Sequence, residues 1–467
     1  FMEGELLPSS HKLHGIFQQR WEPELLKLQV HPSFTQSPRL QVIWYMHCCH
    51  CCGFSNELQS LVYPLQRFVN VHLTAGPECF CSNATLSLQD TFSRLHSRPH
   101  RISRYHQDDV LVYISHTNPT LFHLSREVKN AKLDYLVGRS MYEFSRIDAK
   151  HVQLANTLAD EIWVPAQFVY HSYVSSGAIK EKIVIVPEAI DTHAFNPETA
   201  GRVHLPPQHL FHQCNRPPAE SSYTFLSDFK WEPRKGWDVL FESYFRAFNA
   251  RDRVVLYVLT HIWFPGGPET YGWANNITWI MEDLEAYMRK KTTLIQDGRI
   301  PSEWPTYCFI SQSMGVSDIS ALYNSADAFV YTTRGEGWGL PAMQAMSMGL
   351  AVIGTNFGGV TEFMKPFNSF LIPLDGVVEI PFDSVYGWSY GTKWAEPSVH
   401  HTVRLLRYVR ENPEHARRVG AVARNYIVSN FSEEALSHIL NGHLQRIRGK
   451  VLAKRDEEEI KVHLTPQ

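Results

Sequence analysis

The chain has 467 residues, 44% of them hydrophobic, which is ample for two cores and long for one. Lys and Arg number 44 against 47 Asp and Glu, and the net charge of −3 argues against nucleic acid or an acidic membrane surface as a partner. No apolar run reaches the ~18 residues of a membrane-spanning helix, and the opening FMEGELLPSS lacks the form of a signal peptide, which leaves an upstream targeting segment or anchor open.

In chain order, residues 1–38 are polar and proline-punctuated and read as an extension over a first domain. A strand is expected over 41–46, then a loop rich in Cys and His (His47-Cys48-Cys49-His50-Cys51-Cys52), and then Gly53-Phe54-Ser55 opening a helix. Six successive residues cannot readily aim four ligands at one tetrahedral zinc, so this loop reads as reduced and thiol-rich, and no metal site is expected. Cys214 and Cys308 stand alone in the sequence. Further strands are expected over 68–74, 109–115, 132–138 and 161–164, with helical periodicity over 148–159. Alternating strands and helices imply a parallel sheet covered on both faces.

A strand from 183 runs into a turn, and 206–222, rich in Pro, His and Ser, reads as a linker. A second alternation follows: strand 223–227, helix 237–249, strands 254–260 and 307–310, helix 319–325, and strand 328–333. Helices over 399–410, 413–428 and 433–448 close the chain, and the last residues look like a solvated tail. The expected division is a Rossmann-like domain over 1–205, the linker 206–222, a second over 223–430, and a C-terminal helix and tail over 431–467.

Residues 328–362 carry the most chemistry: a β-prone strand, a loop loosened by Gly335, Gly337 and Gly339, a helix opened by Pro341, a second strand, and a Gly358-Gly359 loop bearing Glu362. The unpaired amides at the helix start suit phosphate. Glu336, one turn upstream, can accept hydrogen bonds from a polyol, and Gln344 faces the same side one turn further in. Two doubly wound halves would place their switch-point crevices face to face, with a ligand in the cleft between them.

The pattern resembles the E-x7-E signature of family 4 (group 1) retaining glycosyltransferases, with Glu336 as the first acid and Gln344 at the second position. The resemblance extends through EIWVPAQF and IVIVPEAIDTHAFNP, over most of 135–440. It implies the α/β GT-B fold, two Rossmann-like domains facing a central cleft, with the first on the acceptor side and the second on the donor side. It also implies a nucleotide-diphosphate sugar donor, GDP- or UDP-linked, with Glu336 on the transferred sugar and position 344 on the ribose diol. Trp338, Leu340, Gly359 and Glu362 complete the donor loops.

In SDFKWEPRKGWD, a strand ends in a basic turn. The family grips the leaving diphosphate with an Arg and a Lys there; Lys235 matches the Lys, whereas the Arg position falls at Phe229, so Arg234 or Lys230 must supply the second cation. No Asp-x-Asp occurs, and the resemblance implies no obligate metal or other cofactor. Gly53 is similar to the family's first glycine loop near the phosphates. On the acceptor side His116 and Glu143 sit where first-domain strands would meet the cleft. The acceptor stays open among a glycan, a lipid-linked sugar and a small molecule, as does the nucleotide base. Two other readings remain: a catalytically silent sugar-nucleotide binder, hinted at by Gln344, and another GT-B enzyme such as a sugar-nucleotide epimerase.

Overall fold

A computed structural model describes residues 39–46, 58–75, 108–116, 133–205, 212–262, 277–291, 301–311, 314–380 and 391–464. The expected N-terminal extension, the His47–Cys52 cluster and Gly53 lie outside the described residues.

The first domain holds a six-stranded parallel sheet in the order β2-β1-β3-β4-β5-β6. Its strands are β1 (Leu40–Met46), β2 (Asn70–Ala75), β3 (Val110–His116), β4 (Tyr135–Arg139), β5 (Glu161–Val164) and β6 (Ile183–Ile185). Every residue of β3 is buried, as a strand covered on both faces requires. Helices α1 (Ala149–Leu158) and α2 (Gln167–Ser175) flank β5 in sequence. The Asp148 carboxylate caps α1 by accepting from the amides of Lys150 and His151 at 2.9 and 3.3 Å.

The second domain holds a seven-stranded sheet in the order β13-β12-β11-β8-β9-β10-β7. Its members are β7 (His212–Cys214), β8 (Tyr223–Trp231), β9 (Val254–Ile262), β10 (Thr306–Ile310), β11 (Ala328–Tyr331), β12 (Ala351–Thr355) and β13 (Phe370–Ile372). All pairings are parallel except β7 with β10. The antiparallel edge strand β7 falls inside 206–222, so part of the stretch expected as linker belongs to the second sheet. It also corrects the reading of two lone cysteines: Cys214 lies opposite Cys308 and the two form a disulfide.

Helices α3 (Trp237–Ala247) and α4 (Ile277–Lys291) cover one face of this sheet, with Leu240, Phe241 and Tyr244 fully buried. Next come α5 (Val316–Tyr323) and α6 (Leu340–Ser347). A two-stranded antiparallel hairpin, β14 (Leu374–Glu379) with β15 (Lys393–Pro397), precedes α7 (Val399–Glu411) and α8 (Pro413–Phe431). Neither this hairpin nor α4 was expected from the sequence.

The last helix, α9 (Glu433–Leu464), returns to the first domain. Leu436, Leu440, Leu444, Ile447 and Val451 form one buried stripe along it, at the spacing of a single helical face. The expected solvated tail is exposed over 456–461 but helical, and Arg455 reaches back to Asp134 at 2.8 Å. No helix of the described residues is long and apolar enough to cross a membrane.

Candidate active site

The central pair of the second sheet is β8 and β11, neighbours in space although β9 and β10 intervene in sequence. The chain order reverses there, so the loops beyond the carboxyl ends of these two strands frame the crevice of a doubly wound sheet. The β8 loop carries Glu232, Arg234 and Lys235; the β11 loop carries Thr333 and Glu336. Gly236 lets them meet: at φ +66°, with a Cβ that would lie 2.0 Å from the Thr332 carbonyl oxygen, the position excludes any side chain.

Glu336 is buried and fully engaged on one side. Its Oε1 accepts from Lys235 Nζ at 2.6 Å, from the Tyr331 hydroxyl at 2.8 Å and from Thr333 Oγ1 at 2.9 Å. Its Oε2 accepts from Arg234 Nη1 at 3.2 Å. Burial alone would push this carboxyl up, but Lys235 and Arg234 outweigh it and hold it at about 2. Arg234 also donates to the Gly335 carbonyl and to Glu232 Oε1, both at 2.8 Å. From the first domain, Glu143 Oε1 comes within 3.9 Å of the same guanidinium. The candidate residues Glu336, Lys235, Arg234 and Glu143 therefore form one interdomain cluster. Tyr331, Thr333 and Glu232 were missed, because their part depends on β8 and β11 being neighbours.

Phe229 and Trp231 face the aromatic core under α3, so by strand alternation Asp228 and Lys230 face the other way. Asp228 accepts from the Tyr323 hydroxyl at 3.0 Å, and burial pushes its carboxyl up to about 6. Gly337 lies against Met141 of the first domain, and Gly359 donates its amide to the Glu336 carbonyl at 2.7 Å. Gly339, at φ +100°, turns the chain into α6. The Trp338 ring is core, donating to Met343 Sδ at 3.1 Å and packing on Phe363 and Phe431. Glu362 reaches across to the first domain, where Oε1 accepts from the Gln167 amide at the start of α2 at 2.7 Å. His116 is buried at the end of β3, in register with Arg139, whose guanidinium pairs with Glu188 at 2.6 Å.

Leu340 and Gln344, one turn apart on α6, line a cavity of about 550 Å³. Its polar rim includes the first-domain residue Tyr63, Asp191 and His193 between the two sheets, Ser317 of α5 and Glu433 at the start of α9. No Lys or Arg lines it among the described residues. Burial and the neighbouring Asp191 push the Glu433 carboxyl up to about 8.

Residues 221–380 match the family model described as Glycosyl transferases group 1. The chain carries a group 1 glycosyltransferase domain. No curated protein matches the chain in sequence. Among solved structures it is similar to Anabaena Alr3699/HepE in complex with UDP and glucose, at 11% identity and a TM-score of 0.56, covering 87% of this chain and 99% of that one. A glycosyltransferase from Rickettsia africae matches at 13% identity and a TM-score of 0.56, covering 88% and 98% of the two chains. Sucrose-phosphate synthase from Thermosynechococcus elongatus matches at 12% and 0.56, covering 88% and 100%. At such identities the likeness is one of fold, and the fold is GT-B: two Rossmann-like domains facing a cleft.

Proposed function

We propose that this glycosyltransferase is a retaining hexosyltransferase of the family 4 type, moving a hexosyl group from a UDP- or GDP-linked donor to a hydroxylated acceptor. Its second domain holds the donor, and its first domain, through Glu143 and His116, faces the acceptor. The observation that carries this reading is the Lys235–Glu336–Arg234 cluster at the switch point of the second sheet. The lysine ammonium has three donors, so it can hold Glu336 and a phosphate oxygen together. Among the described residues Oε2 of Glu336 takes a single donor, Arg234, which leaves it a lone pair for a sugar hydroxyl.

As the bond from the anomeric carbon to the phosphate oxygen breaks, negative charge grows on the diphosphate. Lys235 and Arg234, already fixed by Glu336 and Glu232, stabilise that charge without reorganising. The acceptor oxygen bonds to the same face of the anomeric carbon and passes its proton to the departing phosphate, so configuration is retained and no protein nucleophile is needed. No obligate metal enters the scheme, in keeping with a sequence that has no Asp-x-Asp.

A thermal-shift panel of UDP, GDP, ADP and their hexose conjugates tests this reading, because a ligand of the folded state raises the midpoint with its affinity and concentration. A shift with one nucleotide, lost in Lys235→Ala, is expected. No shift with any of them at millimolar concentration would overturn it. Gln344 keeps a second reading in view, a sugar-nucleotide binder without turnover, which would show the shift but release no nucleoside diphosphate from its conjugate.

A further inference from the structure

The cavity beside α6 has a composition that the diphosphate site does not share. The cations of the crevice cluster sit in the β8 loop, whereas the described polar lining of the cavity has acids, hydroxyls, one amide and the His193 imidazole, with no Lys or Arg. The helix α6 joins the two places: it starts just beyond the Glu336 loop, and its first two turns put Leu340 and Gln344 on the cavity wall. A ligand whose anionic part lies at the crevice therefore turns an uncharged, donor-rich part towards the cavity. Phosphate finds no lysine or arginine there, whereas hydroxyls find both donors and acceptors.

Three polar groups on that wall have unused capacity. Gln344 is only 9% exposed, and its side-chain amide makes no hydrogen bond to any described residue. Glu433 likewise has no hydrogen-bond or ion-pair partner among the described residues. Asp191 spends Oδ1 on the amides of His193 and Ala194, at 2.9 and 2.8 Å, and keeps Oδ2 free of described partners. One buried amide and two half-buried carboxyls with open hydrogen-bonding capacity, beside a cavity of this size, mark a place for a polar ligand.

We propose that Glu433, backed by Asp191, holds the vicinal hydroxyls of the donor nucleoside in this cavity and so supplies the acid that position 344 lacks. The inference rests on the nucleotide-sugar reading above and assigns its nucleoside end. Gln344 then contributes an amide to the same diol, and the carboxyl comes from α9, nearly ninety positions further on in the chain. The proton that Glu433 keeps near neutrality suits the task. It lets the carboxyl both donate to and accept from a diol, and it keeps negative charge away from the nearby phosphates.

Isothermal titration with UDP, GDP and ADP, each beside its 2′,3′-dideoxy counterpart, tests the assignment on wild type, Glu433→Ala, and Glu433→Ala combined with Gln344→Glu. Wild type is expected to prefer the hydroxylated form of its nucleotide by about 10-fold or more, the scale of a hydrogen bond to an acid. Glu433→Ala should lose most of that preference while its affinity for the dideoxy form changes less than about 2-fold, and adding Gln344→Glu should restore it. If wild type binds none of the three nucleotides, the nucleotide-sugar reading and this inference fall together. If it binds one, but without preference for the hydroxylated form or with the same preference after Glu433→Ala, only this inference is overturned.

Discussion

Two carboxylates in this molecule are held in nearly the same way. Glu336 accepts from Lys235, Arg234, Tyr331 and Thr333. Glu161 accepts from Arg446, Lys450, Tyr135 and Trp163, at 2.7, 3.0, 2.9 and 3.2 Å. Burial would raise both carboxyls, and two cations pull each down to about 2. Only their places in the fold differ. Glu161 is the first residue of β5, at the strand's amino end and under α9, whereas Glu336 lies beyond the carboxyl end of β11, at a crevice with the other domain opposite. A strongly shifted carboxyl is therefore not by itself the mark of a site. Topology decides which of the two can meet a ligand.

Substitution separates the two clusters. Lys235→Ala removes a fixed cation from the crevice, and kcat/KM is expected to fall by about 10²–10³-fold, the usual cost of one electrostatic stabiliser. Steady-state release of nucleoside diphosphate measures it. Glu161→Ala instead leaves Arg446 and Lys450 facing each other. The expected loss of stability is about 2–3 kcal/mol, below the full cost of a buried pair because both cations are partly exposed and can rehydrate. Urea unfolding followed by fluorescence reads this, and nucleotide binding by the folded protein should be unchanged.

Acid treats the two carboxylates alike. Each has a folded-state pKa near 2 against an ordinary value of 4.5, so each contributes stability that is fully present above about pH 4.5 and is lost as pH falls toward 2. The melting midpoint should drop steeply over that window, and less steeply in Glu161→Ala. Glu362→Ala removes the cross-domain cap on α2 and should cost about 1 kcal/mol, seen as a small fall in the midpoint. Asp228→Asn is expected to have the smallest effect. Its carboxyl is raised from 3.8 to about 6, so ionisation costs the folded state stability as pH rises between those values. The Asn variant should match wild type near pH 4 and be slightly more stable at pH 7 and above.

Much of the fold was legible in the sequence because parallel strands buried on both faces leave continuous apolar runs: β5 and β12 lie where they were expected. The β14–β15 hairpin left no such mark, since five of the six residues of β14 are exposed and carry no alternation. The disulfide was illegible for a related reason. Its cysteines are 94 positions apart, and only the antiparallel register of β7 brings them together. In the site, Glu336 could be read because a glycine-loosened loop after a strand announces a crevice, whereas Lys235 and Arg234, in an otherwise ordinary basic turn, could be read only from the family resemblance. Tyr331, Thr333 and Glu232 could not, since their roles follow from strand order. The cavity acids Asp191 and Glu433 come from an interdomain segment and the last helix, and no local pattern joins them.

We propose that the Glu336 cluster does chemistry while the Glu161 cluster holds structure. The most direct test assays nucleoside diphosphate release from UDP- and GDP-hexoses in wild type, Lys235→Ala and Glu161→Ala, with the melting midpoint of each protein measured beside it. Both variants should lose several degrees of midpoint, since each breaks a buried ion pair; measured well below the transition, Lys235→Ala should still lose turnover by about 10²–10³-fold, whereas Glu161→Ala should retain it. Turnover that instead tracks the folded fraction in both variants alike would contradict this assignment.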